Sequence, residues 1–200
     1  MAFTYFFRDM QTLDFIKEYA IPELRNRQYI NVWDAGCAMG PEPYSVAIIF
    51  RENLGRFQFR NLNIYASDID ISNQFGKIIR EGVYPEEMIK RIPPEFRRKY
   101  FSPNGGPGMF KLADEIIKSV SFQRHDLLSL EPIREGFGLI VCKNVLLHFK
   151  EEERVNVIRM FHRTLSSDGF FVMEQTQKLP KAVAGLFEPL VSNAQLFRKL

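Results

Sequence analysis

The stretch from Tyr29 to Phe50 constrains the fold of this chain more than any other. An apolar run around Ile30 and Val32 is followed by a break at Gly36 and Gly40, and then by apolar residues at helical spacing. This pattern predicts a strand, a tight turn and a helix. Because glycine lacks a Cβ atom and adopts positive φ, a ligand can approach the backbone there, and the free N–H groups of the new helix face it. The stretch therefore predicts a pocket of the nucleotide-binding type at Gly36.

Length and composition indicate an ordinary globular protein. The 200 residues, with 46% hydrophobic and 26% charged residues, are enough for one domain with its own core. No apolar run approaches the roughly 20 residues that a membrane helix needs. Arg8 and Asp9 also lie where a signal peptide would be apolar. We therefore expect a cytoplasmic protein with no membrane insertion.

The cysteines and the charge exclude further classes. Cys37 and Cys142 are far apart in sequence and have no partners at metal-ligand spacing, which argues against a disulfide framework and predicts no metal site. The net charge of +3 is too small to imply nucleic acid. A basic run at 90–99 is either a solvated helix face or a polyanion site, and the solvated face is the expected interpretation.

Apolar strand patterns alternate with helical patterns along the chain. Strands are expected at 62–67, at 138–142 and at 170–173, with a clear helix at about 151–165. Such alternation predicts an α/β fold with a mostly parallel sheet and a ligand crevice at the carboxyl ends of the strands. The candidate site residues are those that follow the strands, namely Asp34 to Glu42, Asp68, Asp126, Lys143 and Asn144.

Two acidic residues suggest which ligand binds. Glu42, just beyond the glycine turn, would repel a pyrophosphate and would suit a cationic sulfonium cofactor with an amino group, which favours S-adenosylmethionine over NAD, FAD or a nucleoside triphosphate. Asp68 ends the second strand, where an acidic residue can accept hydrogen bonds from ribose hydroxyls. The alternative for Asp68 is a cap on the following helix, with Asp70 or Ser72 as competitors for that place.

Five segments of the chain resemble the chemotaxis receptor glutamate methyltransferases of the CheR type. They are Thr4-Tyr5-Phe6-Phe7-Arg8, Gly40-Pro41-Glu42-Pro43-Tyr44-Ser45, Ala66-Ser67-Asp68-Ile69-Asp70, Cys142-Lys143-Asn144-Val145-Leu146-Leu147-His148-Phe149, and Leu165 to Gly169 with the strand after it. The resemblance implies a class I methyltransferase (Rossmann-like) α/β fold with helices on both faces of the sheet. It also implies one domain over 1–200, with an N-terminal strap at 1–28 and a small inserted β-subdomain at about 84–120.

The resemblance also implies a set of site residues for S-adenosylmethionine and its product S-adenosylhomocysteine. Those implied are Thr4, Arg8, Glu42, Asp68, Asp126, Leu127, Lys143 and Asn144. In this interpretation the strap holds the methionine end, Glu42 faces the charged amino-acid portion and Asp68 holds the ribose. The implied substrate is a glutamate on a chemoreceptor or a related signalling protein.

The chain departs from the family pattern at identifiable places. Lys143 and His148 stand where the family usually has an arginine and a tyrosine, and Gln175-Thr176-Gln177 stands where a Ser-Glu pair often follows the last core strand. The family's N-terminal helical domain has no counterpart in these 200 residues. These departures leave open a methyltransferase of another substrate, or a cofactor-binding sensor without turnover.

Transfer of a methyl group to a carboxylate needs little acid or base help, since the carboxylate is already ionised at neutral pH. Arg8 and His148 are the candidate catalytic residues. Arg8 would orient a carboxylate with its rigid donor fork, the alternative being an ion pair with Asp9 or Glu18. His148 would donate a hydrogen bond near the methyl group, the alternative being a core histidine beside Phe149.

Overall fold

The computed structural model describes residues 4–200, so the first three positions of the expected strap lie outside the described residues. The helices, in chain order, are α1 (Met10–Phe15), α2 (Ile21–Leu24), α3 (Pro41–Phe59), α4 (Phe75–Glu81), α5 (Glu86–Ile89), α6 (Pro94–Tyr100), α7 (Asp114–Ile117), α8 (Glu151–Thr164) and α9 (Lys181–Ala184). The strands are β1 (Ile30–Ala35), β2 (Leu62–Asp68), β3 (Val83–Pro85), β4 (Phe101–Pro103), β5 (Met109–Leu112), β6 (Val120–Arg124), β7 (Phe137–Cys142), β8 (Leu165–Met173), β9 (Phe187–Pro189) and β10 (Leu196–Lys199).

The main sheet has seven strands in the order β6-β2-β1-β7-β8-β10-β9. The first five of these are mutually parallel, whereas β10 runs antiparallel to both β8 and β9. The expected mostly parallel sheet is therefore confirmed. Since the chain moves from β1 to β2 on one side and later to β7 on the other, the order reverses beside β1, and ligands bind at such a switch point.

Apolar side chains on the two faces of β1 belong to different hydrophobic clusters. Val32 packs in the cluster that contains the buried residues of α1 to α4, whereas Trp33 packs in the cluster of α8. The rings of Trp33 and Phe161 meet edge to face with centroids 5.2 Å apart. Burial on both faces is what a central parallel strand requires, so the prediction of helices on both faces is confirmed.

Proline and glycine mark the places where regular α-helical conformation is interrupted. Between α1 and α2 the chain forms a π-helical turn at Ile16–Ala20, directly before Pro22, which has no N–H to continue the α-helical ladder. In α3 the helical conformation breaks at Gly55, whose φ is 73° and ψ is 170°. The φ of Gly55 is positive, but its ψ is not that of the left-handed helix, and the helical segment resumes as far as Phe59.

A second, three-stranded antiparallel sheet in the order β3-β5-β4 is inserted between α4 and α7. The N-terminal segment packs on it, because Phe6 lies edge to face with Tyr84 at 4.9 Å and with Phe101 at 5.2 Å. Phe7 stacks on Phe96 at 5.4 Å. The aromatic strap therefore connects this sheet to the main domain.

Three of the five basic residues at 90–99 form ion pairs with glutamates. Lys90 pairs with Glu87, Arg97 with Glu86 at 2.7 Å, and Lys99 with Glu52 at 2.6 Å. This is a solvated, ion-paired face, as expected. Among residues 4–200, no helix is both long and apolar enough to cross a bilayer.

Candidate functional site

A cavity of about 420 Å³ opens at the carboxyl edge of the main sheet, beside the switch point. Nine of the sequence-predicted residues line it: Thr4, Arg8, Gly36, Cys37, Ala38, Glu42, Lys143, Asn144 and His148. The register explains part of this grouping, because Asp34 of β1 pairs with Val141 of β7, so Gly36 and Lys143 follow at the same level. The edge of a parallel sheet thus brings together residues more than a hundred positions apart in sequence.

Both the backbone conformation and the close packing at position 36 require glycine. Its φ is +98°, and a Cβ atom there would lie 2.1 Å from Cγ2 of Val145. Its N–H donates to the carbonyl oxygen of Ser67 at 2.7 Å. The turn is therefore pressed between the end of β2 and the loop after β7, which only glycine permits.

Asp68 supports the turn without lining the cavity. Its Oδ2 accepts a hydrogen bond from the N–H of Ala38 at 3.0 Å, and Ala38 does line the cavity. The helix cap belongs to Asp70, which accepts from the N–H groups of Gln74 at 3.1 Å and Phe75 at 3.0 Å. The interpretation of Asp68 as the helix cap is therefore wrong, and its proposed contact with ribose stays a prediction.

Asp126 and Leu127 lie one strand further out and do not line this cavity. Asp126 caps a 3₁₀ turn by accepting from the N–H of Leu128 at 2.9 Å, and Leu127 is buried. The N–H of His125 donates to the carbonyl oxygen of Asp68 at 2.9 Å, so the ends of β6 and β2 are joined. A cofactor contact of Asp126 and Leu127 stays a prediction.

Two carboxyl groups lie beside the glycine turn: Asp34 is fully buried, and Glu42 is partly buried and lines the cavity. Burial raises the pKa of Glu42 to about 7, although Lys143 and Arg8 oppose the shift. Asp34 is fully buried, and neither of its oxygens has a hydrogen-bond partner among the described residues. Burial and the neighbouring Glu42 raise the pKa of Asp34 well above its ordinary value. Such carboxyl groups are stabilised by an incoming cation, which fits an amino-acid ammonium or a sulfonium.

Lys143 supplies the positive charge among these carboxyl groups. Its side chain is only 8% exposed, and its Nζ lies 2.7 Å from Oδ2 of Asp9. Asp9 begins α1, accepting from the N–H of Thr12 at 3.1 Å and from its Oγ1 at 2.7 Å. Lys143 therefore joins the end of β7 to the N-terminal segment. Asp9 is not among the site residues that the sequence predicts.

The strap reaches the cavity through Thr4 and Arg8. The N–H of Phe7 donates to Oγ of Ser45 at 2.9 Å, and that hydroxyl donates to the carbonyl oxygen of Pro41 at 2.6 Å. These bonds hold the strap on the first turn of α3. Arg8 is exposed, and its positive charge favours the ionised form of Glu42, which opposes the rise in the pKa of that carboxyl group.

His148 and Asn144 belong to the loop after β7. Asn144 has a positive φ of 58°, and His148 ends the 3₁₀ turn Leu146–His148. His148 is exposed at the cavity, so the alternative of a core histidine is wrong. Its role as a donor near the methyl group stays a prediction.

One buried acid, Glu174, is not among the site residues that the sequence predicts. Glu174 is 3% exposed and directly follows β8, whose Met173 pairs with Cys142, so Glu174 lies level with Lys143. The rule that selected the residues after β1, β2 and β7 applies equally after β8 and would have found it. Among the described residues, no cluster of three or more histidine, cysteine or acidic residues suits a metal ion.

The comparison with protein families gives one match. The family model "CheR methyltransferase, SAM binding domain" matches residues 2–195. The match covers almost the whole chain, including every residue that lines the cavity.

Curated relatives agree with the family match. The chemotaxis protein methyltransferase of Borreliella burgdorferi is 31% identical over 187 residues, covering 88% of this chain and 64% of the relative. That of Listeria innocua serovar 6a is 32% identical over 184 residues, covering 90% and 67%. That of Vibrio parahaemolyticus is 28% identical over 199 residues, covering 98% and 72%. The chain thus spans 64% to 72% of the length of these relatives.

Among solved structures, the rRNA methyltransferase aviRa from Streptomyces viridochromogenes has a TM-score of 0.57 at 10% identity. The superposition covers 98% of this chain and 86% of that structure's chain. At this identity the likeness concerns the fold alone. It confirms the class I methyltransferase architecture.

Proposed function

The chain belongs to the CheR methyltransferase family, and from that premise we propose that it methylates glutamate side chains of a protein. The cofactor is S-adenosylmethionine, and the product on the protein is a glutamyl methyl ester. The observation that carries the proposal is the 420 Å³ cavity at the switch point, where Glu42 lines the wall beside the glycine turn. A phosphate-bearing cofactor would be repelled there, whereas a cationic one is stabilised.

When bound, S-adenosylmethionine supplies a methyl group on a positively charged sulfur atom. Glu42 would face the ammonium group of its amino-acid portion. Asp34 is fully buried and does not line the cavity, and its raised pKa disfavours the ionised form, so Glu42 is the acid that would meet the cofactor. Thr4 and Arg8 of the strap would hold the carboxylate end, with Arg8 offering a planar donor fork.

The nucleoside end would lie towards β2 and β6. Asp68 is the proposed acceptor for ribose hydroxyls, since it already fixes Ala38 in the cavity wall. Asp126 and Leu127 would border the base beyond it. Gly36 would allow the cofactor to approach the backbone.

Methyl transfer then depends on position and on the exclusion of water. The acceptor glutamate is ionised at neutral pH and needs no general base. The strap contributes apolar cavity walls at Tyr5 and Phe7, and α1 contributes Leu13. Holding both reactants in line, with water displaced, supplies most of the rate enhancement. Asn144 and His148 lie at the cavity mouth, where His148 would donate a hydrogen bond to the acceptor.

The proposed partner is the cytoplasmic part of a chemoreceptor or a related signalling protein, which places the reaction in the cytoplasm. We also propose that residues 1–200 form one methyltransferase domain with a strap at 1–28 and an inserted subdomain at about 84–120. The proposed partner is supported by the names of the relatives, which are chemotaxis protein methyltransferases.

The test is transfer of a labelled methyl group from S-adenosylmethionine to a purified chemoreceptor cytoplasmic fragment. Label that base treatment releases as methanol identifies a carboxyl methyl ester. Glu42→Gln should lose most of the transfer, because the charge facing the cofactor is removed. The control is Glu135→Gln, an exposed residue that precedes β7 at the opposite edge of the sheet. Label that resists base would show a nitrogen or hydroxyl acceptor and would refute the proposal.

A further inference from the structure

A second cavity, of about 360 Å³, lies at the opposite edge of the main sheet from the cofactor cavity. Its wall is formed by the C-terminal end of α3 and by residues at the starts of β2 and β6, and parallel strands start at the edge opposite their carboxyl ends. Since α3 carries Glu42 in its first turn, its 19 residues separate the two cavities by roughly 25 Å. This second cavity, the basic recess, is therefore distinct from the cofactor cavity.

Three cations line the basic recess. Arg56 and Arg60 come from the end of α3, and Lys118 comes from the segment that precedes β6. Within the part of the chain that the structure describes, none of the three forms an ion pair, in contrast to Lys90, Arg97 and Lys99 of the basic run. The recess therefore carries positive charge that an incoming anion would neutralise.

The rest of the lining leaves this positive charge in place. Glu115 lines the recess, but its Oε2 already lies 3.1 Å from Nε of Arg51. Phe59 and Leu62 are 5% and 3% exposed and form an apolar part of the wall. An apolar wall with a few converging charges, at a volume of several hundred Å³, is typical of a site for a small molecule.

Phosphate is the anion that this set of cations suits best. A phosphate group carries up to two negative charges and three acceptor oxygens, and the arginine fork binds it through two parallel hydrogen bonds. Two arginines and a lysine around one recess exceed what a single carboxylate requires. A nucleic-acid backbone would need a longer basic stripe than these three side chains provide.

An exposed aromatic ring adjoins the recess. Phe57 is 81% exposed, and the guanidinium carbon of Arg60 lies 5.7 Å from the centroid of its ring. Gly55 interrupts the helical conformation of α3 two residues before this ring. An exposed ring beside cations is a stacking surface for a nucleobase, because stacking removes apolar area from water.

We propose that the basic recess binds a nucleoside diphosphate, with its phosphates between Arg56, Arg60 and Lys118 and its base stacked on the ring of Phe57. The phosphates would neutralise the three cations, and the base would cover the exposed ring. This site goes beyond the proposed function, since no residue of the cofactor cavity takes part in it.

The closing experiment is calorimetric titration with ADP of protein saturated with S-adenosylhomocysteine, so that the adenosine part cannot enter the cofactor cavity. The unmodified protein should bind ADP with a Kd of about 0.1 mM or less. Arg56→Gln and Lys118→Gln should each weaken binding about tenfold, because a charge-assisted hydrogen bond is lost. Arg25→Gln, at an exposed arginine after α2, is the matched control and should change the Kd less than about twofold.

A second ligand separates the base from the phosphates. Phe57→Ala should weaken ADP at least about fivefold while the Kd for inorganic pyrophosphate stays unchanged, because only ADP has a base to stack. No binding of ADP at about 1 mM, or equal losses in Arg56→Gln and Arg25→Gln, would overturn the proposal. Pyrophosphate bound as tightly as ADP, with Phe57→Ala neutral towards both, would overturn the nucleoside assignment and leave a phosphate site.

Discussion

Oδ2 of Asp9 lies 2.7 Å from Nζ of Lys143, so the N-terminal segment is ion-paired with the carboxyl end of the central strand β7. The same carboxylate caps α1 through Thr12. Burial alone would raise the pKa of Asp9, but the hydrogen bond and the charge of Lys143 outweigh it and lower the pKa. One contact therefore connects the strap, the helix that follows it and the floor of the cavity.

Replacement of Lys143 should destabilise the protein strongly. Lys143→Met leaves Asp9 without its partner and removes the cation beside Glu42. Breaking a buried pair from one side lowers the free energy of unfolding by about 3 kcal/mol. Urea denaturation at pH 7 measures this loss in the free energy of unfolding. Lys77→Met is the matched control, since Lys77 pairs with Glu81 in solvent at 3.9 Å and should cost less than about 0.5 kcal/mol. Equal losses in the two variants would contradict the role of the buried pair.

Gly36→Ala should disrupt both stability and cofactor binding. The new Cβ atom would meet Cγ2 of Val145 at 2.1 Å, and the φ of +98° is unfavourable for alanine. We expect a loss of about 2 kcal/mol or more in the free energy of unfolding, together with weaker binding of S-adenosylhomocysteine by calorimetry. Gly106→Ala is the control, because its nearest neighbour would lie 3.8 Å away. A Gly36→Ala protein as stable as the control would refute the packing argument.

Binding of S-adenosylhomocysteine should strengthen as pH rises from 6.0 to 7.5. The pKa of Glu42 is about 7 against an ordinary value of 4.5, and an ammonium group favours the ionised form. If only the ionised form binds, the affinity at pH 6.0 should be roughly eightfold lower than at pH 7.5. Calorimetry in two buffers of different ionisation enthalpy should detect proton release near pH 6.5. Glu42→Gln should bind more weakly and without this dependence.

In the ligand-free protein, Glu42 should make the free energy of unfolding fall as pH rises, the opposite of its effect on ligand affinity. A carboxyl group whose pKa is raised by folding contributes its full stability below the unfolded value of 4.5 and loses it as pH rises towards about 7. The contribution of Glu42 to the free energy of unfolding should therefore fall over this window. This pH-dependent fall should be absent in Glu42→Gln. A ligand-free pH profile identical in the two proteins would show that Glu42 titrates normally.

Tyr84→Phe should weaken the contact between the three-stranded sheet and the glycine turn. The buried Tyr84 hydroxyl donates to the carbonyl oxygen of Met39 at 2.8 Å. Its loss leaves that carbonyl unsatisfied and should lower the free energy of unfolding by about 1–2 kcal/mol. Tyr29→Phe, at a side chain that is 60% exposed, is the control and should be neutral in the same denaturation experiment. Two neutral variants would mean that water replaces the lost bond.

Glycine spacing and apolar periodicity predicted most of the fold. The turn at Gly36, the strand at 138–142 and the helix at about 151–165 were readable because each depends on local conformation and on the burial of one element. Residues at strand ends were readable too, since all parallel strands end at one edge. Glu174 was missed because that rule was not applied after β8, although the rule itself holds there.

Residue pattern alone predicts a strand, a glycine turn and a helix at the centre of an alternating α/β chain, with an acidic residue beside that turn. Only the packing of distant segments shows that Asp9 pairs with Lys143 across 134 positions, that Asp70 rather than Asp68 caps α4, and that Asp34 is buried with no hydrogen-bond partner in residues 4–200. The physical reason is that hydrogen bonding and desolvation of a side chain depend on which distant segments pack around it. Periodicity reports only the face of the element on which that side chain lies.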